Sequence, residues 1–290
     1  MEITIFSSIE IHINLRALAE LMESKILFLG TGGDIAVTSK QKRASGGILI
    51  QVDECQFHID PGPGALVQAA RHGINVRDHT AILVSHSHLG HCNDVNALIS
   101  AITLNGIDKH GVLVASESFL KSGFLTEFHK NCVEKILPAI PEKKIAIQDV
   151  EIRSLYTEHN DEQAVGFKLF TPKFILSYTA DTKYKKDLVE QYSKSDILIL
   201  NHKHPFGTKK PDGLASEDIV KILTKTKPKL AILTHFGNKL MNTNPIYEAR
   251  EIQKQTGVQV IAAEDGMSLD PVSYSANLKQ KTLNLYRKKT

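Results

Sequence analysis

Residues 85–94 read Ser85-His86-Ser87-His88-Leu89-Gly90-His91-Cys92-Asn93-Asp94. They follow Ala81-Ile82-Leu83-Val84, an unbroken apolar run of the kind that forms a buried strand. They precede Val95, Leu98, Ile99 and Ile102, whose i, i+3, i+4, i+7 spacing marks one buried helical face. Asn93 and Asp94 offer side-chain oxygens to the free N–H groups of that helix, and Gly106 offers its stop. His86, His88 and His91 therefore fall on a strand-to-helix loop, where polar side chains can converge. Neutral imidazole is the commonest metal ligand in proteins. Three imidazoles within six positions point to metal more than to a solvated turn.

Short apolar runs predict ten further strands: Ile26–Leu29, Ile48–Val52, Gln56–Ile59, Val112–Ala115, Lys144–Ile147, Val165–Phe170, Phe174–Tyr178, Asp196–Leu200, Leu230–Thr234 and Val258–Ala262. The histidine-bearing strand is expected over Thr80–Ser85. One more helix carries Ile219, Ile222 and Leu223 on one face, and another opens on Asn244-Pro245 and ends near Gly257. His159, Asp181 and His235 each lie at the end of an apolar run. Ligands collect at strand ends in layered α/β architectures, so residues distant in sequence can meet there.

The chain has 290 residues, 42% of them hydrophobic and 23% charged, which excludes a largely disordered protein. Lys plus Arg exceed Asp plus Glu by 35 − 32 = 3, too little by itself to argue for nucleic acid. No apolar run reaches the roughly 18 residues of a membrane span, and the acidic N-terminal stretch does not read as a signal peptide. The three cysteines, Cys55, Cys92 and Cys132, suit a reducing compartment. A cytoplasmic protein without membrane contact is expected, with room for a homo-oligomer. Residues 1–24 read as an N-terminal extension, residues 25–275 as a single domain, and residues 276–290 as a basic tail.

In this context the chain resembles the metallo-β-lactamase-fold hydrolases over about residues 25–270. Leu29-Gly30-Thr31-Gly32-Gly33 is similar to the opening strand and glycine turn of the phosphodiesterase and tRNA 3′-processing branch. His58-Ile59-Asp60-Pro61-Gly62 is similar to the first family motif, and His86-Ser87-His88-Leu89-Gly90-His91 to the HxHxDH signature. His159 with Val165-Gly166-Phe167, Ser177-Tyr178-Thr179-Ala180-Asp181-Thr182 and Thr234-His235-Phe236-Gly237 resemble the remaining motifs, in order. The resemblance implies a four-layer αβ/βα sandwich, an α/β fold with two mixed sheets face to face and helices outside. It implies one metal position at His86, His88 and His159, and another at His91, His235 and a bridging, catalytic Asp181. Asp60 would buttress the metal loop. The family's aspartate between the second and third histidines is Gly90 here, which removes one carboxylate from the second position. Asp94 reads first as a helix cap and only distantly as a substitute ligand.

The implied cofactor is Zn2+, one or two ions, with Mn2+ or Fe2+ as alternatives. The implied chemistry is hydrolysis by a metal-bound hydroxide, on a phosphodiester of a nucleic acid or nucleotide. A lactone or thioester hydrolase is the second enzyme reading. A weakly active or inactive metal- or ligand-binding protein, disabled by Gly90, is the third. His202 and His204 follow a strand; His204 is the candidate for proton donation, weighed equally against a solvated loop. Lys183, Lys185, Lys186, Lys203, Lys209 and Lys210 could draw a phosphate-bearing substrate or simply solubilise a face. His58 is expected on a strand surface, and His79 has no partner pattern.

Overall fold

The apolar runs pair into two sheets. The computed structural model describes residues 24–209 and 212–275; the expected extension, apart from Ser24, and the expected basic tail lie outside these residues. The first sheet holds β1 (Lys25–Phe28), β2 (Ile48–Val52), β3 (Cys55–Ile59), β4 (Ala81–Val84), β5 (Val112–Ser116) and β6 (Lys135–Ala139) in that spatial order. The second holds β7 (Lys144–Ile147), β8 (Val150–Tyr156), β9 (Val165–Phe170), β10 (Ile175–Tyr178), β11 (Ile197–His204), β13 (Leu230–Thr234) and β14 (Gln259–Ala262). The short β12 (Leu214–Ala215) pairs with β11, and β15 (Ser268–Leu269) closes the first sheet beside β1.

Alternation along the strands produces the layers. Ala81 and Leu83 of β4 join Ile197 and Ile199 of β11 and Leu230 and Ile232 of β13 in one core between the sheets. The alternate residues Ile82 and Val84 face outward against Val95, Leu98, Ile99 and Ile102 of the helix Val95–Thr103. On the other side, Leu198, Leu200, Ala231 and Leu233 pack on Ile219, Ile222 and Leu223 of the helix Ser216–Thr226 and on Ile252 of the helix Pro245–Thr256. Strands covered on both faces need apolar residues at every position, which is why they read as continuous runs. The resulting α/β sandwich agrees with the expected fold.

Strand direction places the site. β3 through β6 run parallel to one another, as do β10, β11, β13 and β14. β8 is antiparallel to β9, and β9 to β10, so β8 runs with β10. The C-terminal ends of β8, β10, β11 and β13 therefore share one edge of the second sheet. β8 was missing from the sequence reading because Glu151, Arg153 and Ser154 interrupt its apolar residues. β6 was missed as well; it is an edge strand, where Pro138 is tolerated. β11 runs past the expected end at Leu200, because Asn201 pairs with Thr234 and His202 with Leu214.

Two histidine expectations change. His58 is not on a surface; it is fully buried, and so is His79. The Gln56 amide lies 2.5 Å from His79 Nδ1. His79 Nε2 lies 3.0 Å from His58 Nδ1, and His58 Nε2 lies 2.7 Å from the Gly46 carbonyl. Every link is satisfied when both rings are neutral with the proton on Nε2; a further proton would set N–H against N–H. Burial pushes His58 down to about 4 and holds His79 well below its ordinary value. Asp94 also differs: its carboxylate makes no cap bond to its own helix, but accepts from the Leu66 N–H at 3.3 Å.

The buried pair makes the fold acid-sensitive. An unfolded imidazole takes a proton near 6.5 and folded His58 only near 4, so the unfolded state binds more protons between those values. This contribution to stability is complete above pH 6.5 and is lost as the pH falls toward 4. Urea unfolding midpoints across that window should fall on acidification, and less steeply in His58→Met. A wild-type midpoint that does not move would contradict the neutral-pair assignment.

Candidate metal centre

Asp60 organises the loops at the strand ends. It follows β3 in a left-handed conformation, φ 51°, and is 3% exposed. One carboxylate oxygen accepts from the Ser85 N–H at 2.7 Å. The other accepts from the Ser85 hydroxyl at 2.7 Å, the Tyr178 hydroxyl at 2.8 Å and His91 Nδ1 at 2.9 Å. A single buried group thus ties the histidine loop after β4 to β10 of the other sheet. Asp60 sits where a buttress was expected.

The histidines radiate from that anchor. Ser85 Oγ engages His86 Nδ1 at 2.9 Å, which leaves His86 Nε2 3.0 Å from His88 Nδ1. His159, beyond β8, brings its Nε2 to 3.3 Å from the same atom. One ring nitrogen each from His86, His88 and His159 lie within 4.8 Å of one another, and so do ligand atoms of His86, His91 and Asp181. His91 Nε2 stands 3.5 Å from one Asp181 oxygen, and His235 Nε2 3.2 Å from the other. All six residues expected as ligands are therefore brought together. Ala180 (φ 52°) and His235 (φ 58°) adopt left-handed backbone beside the ligand atoms. Non-glycine residues held there cost about 1–3 kcal/mol each and persist where the surroundings over-determine them.

The electrostatics favour a cation. Burial, reinforced by the neighbouring His91, holds His86 well below its ordinary value; burial lowers His88 and His159 too. These rings are neutral, with lone pairs available. Burial would raise Asp181, but His235 and His91 outweigh it and hold the carboxyl well below the usual range. Burial opposes a charge on His91, yet Asp181 and Asp60 overcome it and push the imidazole up to about 10. Two carboxylates thus demand positive charge at His91, which a divalent ion also supplies. Imidazole nitrogens with carboxylate oxygen are a donor set suited to zinc, manganese or iron.

Around this cluster opens a cleft of about 540 Å3, lined by His88, His91, His159, Asp181 and His235. Lys183 and Lys203 line it on the polar side, and Ile35, Pro63 and Leu89 give it apolar wall. Gly33 belongs to the same wall because a Cβ there would lie 2.2 Å from the His235 carbonyl oxygen. Lys203 Nζ holds Asp212 at 2.8 Å, whereas Lys185 is paired away with Glu158 at 3.1 Å. His204 is not among the lining residues; its Nε2 is 2.5 Å from Asp212. His202 is fully buried and turned to Ser216 Oγ at 2.9 Å, away from the cleft. Cys92 is buried, with Sγ against the Ser87 and His88 carbonyls. Lys210 lies outside the described residues.

Three contributors were missed from sequence. Asp161 accepts from the Ser87 N–H at 3.2 Å and the Ser87 hydroxyl at 3.0 Å, fastening the β8 loop to the histidine loop. Asn201 donates to Asp181 at 2.7 Å, and Tyr178 reaches Asp60. Asn201 follows an apolar run as Asp181 and His235 do, a signal that could have found it. Gly90, by contrast, was read from sequence, and a Cβ there would meet nothing within 4 Å.

Comparison with known proteins follows the same lines. The family model described as "Beta-lactamase superfamily domain" matches residues 56–236. An uncharacterized protein of Methanocaldococcus jannaschii is 33% identical over 257 residues, covering 86% of this chain and 96% of its own. Ribonuclease Z of Methanopyrus kandleri is 28% identical over 187 residues, covering 63% of this chain and 62% of its own. Among solved structures, the metallo-β-lactamase-fold protein YhfI of Bacillus subtilis superposes with a TM-score of 0.73 at 18% identity, covering 85% of this chain and 99% of that one.

Removing the anchor should be severe. Asp60→Ala leaves the Ser85 N–H, the Tyr178 hydroxyl and the His91 ring short of a buried partner. Breaking such a buried network costs about 3–5 kcal/mol. Chemical unfolding of the metal-stripped protein checks this, and a loss below about 1 kcal/mol, the net worth of one ordinary hydrogen bond, would contradict it.

Proposed function

The chain belongs to the metallo-β-lactamase superfamily, and from that premise we propose that residues 25–275 act as one domain, a metal-dependent hydrolase of phosphodiester bonds in a nucleic acid or nucleotide. The observation that carries this reading is the meeting of five imidazoles and Asp181, four of those imidazoles lining a cleft that also presents Lys183 and Lys203. The similarity to an archaeal ribonuclease Z supports the substrate class.

In this reading His86, His88 and His159 would hold one ion, and His91, Asp181 and His235 would hold another. The chemistry that a divalent ion supplies there is Lewis acidity, which lowers the pKa of a bound water from 15.7 to about 7. The chain's own residues do the rest. Asp60 fixes the proton of His91 on Nδ1, which would leave Nε2 to hold the ion. Asp181 stays ionised, held by the Asn201 amide, and could orient a water there. Lys183 and Lys203 draw the anionic substrate into the cleft. His204, turned toward Asp212, acts on substrate only through that carboxylate.

The apolar wall favours a second reading, an acyl substrate such as a lactone or thioester. Ile35 is 79% exposed and Leu89 53% exposed, although both line the cleft. Assays on bis(4-nitrophenyl) phosphate and on an acyl lactone, with zinc, manganese or iron returned to chelator-treated protein, separate the two. Metal-dependent phosphodiester cleavage, lost about 100-fold or more in His86→Ala, is expected. Cleavage of the lactone alone would favour the second reading. Lys203→Ala should raise KM about tenfold with kcat little changed, the mark of lost uniform binding; a fall in kcat alone would remove Lys203 from substrate attraction.

Gly90 sets the level of activity. The residue is not in left-handed backbone, and its Cβ position is open, so Gly90→Asp adds a carboxylate without straining the loop. It should tighten the second ion and raise turnover by about 10–100-fold. Equal affinity and equal rates in the two proteins would show that position 90 is not a missing ligand.

A further inference from the structure

A second, much smaller cavity of about 20 Å3 adjoins the centre. Ser45, Gly90, His91, Asn201 and His235 belong to its wall. That volume holds about one water, which needs roughly 10–15 Å3 on this measure. Asn201 is 3% exposed. Its Nδ2 gives one hydrogen to Asp181 at 2.7 Å and the other to the Tyr178 hydroxyl oxygen at 3.1 Å. Tyr178 spends its own hydrogen on Asp60 at 2.8 Å. Turning the amide over would press Oδ1 against the Asp181 carboxylate, so its orientation is fixed. Asn201 Oδ1 is then left buried with no protein partner. A buried acceptor in that position calls for a hydrogen donor. The nearby Ser45 hydroxyl has only a long contact, 3.4 Å, to the Gly90 carbonyl, and is free to turn. Gly90 lines both this cavity and the larger cleft.

We propose that this cavity is a binding site for one water, anchored by Asn201 Oδ1 and the Ser45 hydroxyl, and that this water replaces the carboxylate missing at position 90 as an oxygen donor to the second ion. Asn201 is thus a positioning residue with two duties: Nδ2 steadies Asp181 and Oδ1 holds the water. The inference rests on the two-ion reading above.

Cobalt(II) titration of the metal-stripped full chain, followed by visible absorption, tests it without an activity assay. Wild type should show two binding events of unequal affinity. Asn201→Leu, of similar volume but without an acceptor, should weaken the second event at least about tenfold and leave the first unchanged. Adding Gly90→Asp to Asn201→Leu should restore the second event, because the new carboxylate donates directly. Ser45→Ala removes the other anchor, leaves Asn201 intact and should weaken the second event in the same way; it serves if Asn201→Leu does not fold. An unchanged second event in both single variants overturns the inference. So does a loss in Asn201→Leu that Gly90→Asp fails to restore, since Asn201 would then act only by steadying Asp181. A single event in wild type overturns the inference but leaves the His86, His88 and His159 assignment standing. No cobalt binding at all overturns the metal reading itself.

Discussion

One buried carboxylate holds the centre together. Asp60 accepts hydrogen bonds from Ser85, Tyr178 and His91, which come from both sheets and from the histidine loop. A carboxylate is tolerated at such depth only when its lone pairs are met and a positive charge is close. Ser85, Tyr178 and His91 meet the lone pairs, His91 also carries the charge, and Asp181 on the far side of the ring draws that same charge. The ring Asp60–His91–Asp181–Asn201–Tyr178 closes on itself through hydrogen bonds and ion pairs. Each member therefore has little freedom, and the imidazoles around it inherit that order.

The layers explain why so much was legible in the sequence. A strand covered on both faces is apolar at every position, so β4, β11 and β13 announced themselves, and the parallel pairing of β11 with β13 puts the residues that follow them on one edge of their sheet. His86, Asp181 and His235 could be picked out as polar residues that end such runs, and His159 as one that follows a mixed run. β8 was hidden by its polar alternation, and the reach of β11 through His204 by pairing that only tertiary structure reveals. His58 and His79 were misplaced because an imidazole pair satisfied by tautomer choice leaves no periodic trace. Asp161 and Asn201 act through hydrogen bonds between loops, and side-chain direction there is not encoded in spacing.

In the proposed two-ion reading, the glycine in the histidine loop shifts the balance of the two metal positions. The first is built from three imidazoles that burial keeps neutral. The second would have two imidazoles and one carboxylate, with Asp60 behind His91. On that reading the chain would combine a complete nitrogen-rich position with a leaner one beside a polar cavity, and the larger cleft opens beside the six side chains.

Anomalous diffraction at the zinc edge, on crystals of the full chain grown with zinc, addresses the central claim most directly. A strong peak in contact with His86, His88 and His159 is expected, with a weaker one touching His91, Asp181 and His235. Crystals with no peak among these six side chains, or with zinc bound only elsewhere, would contradict the account.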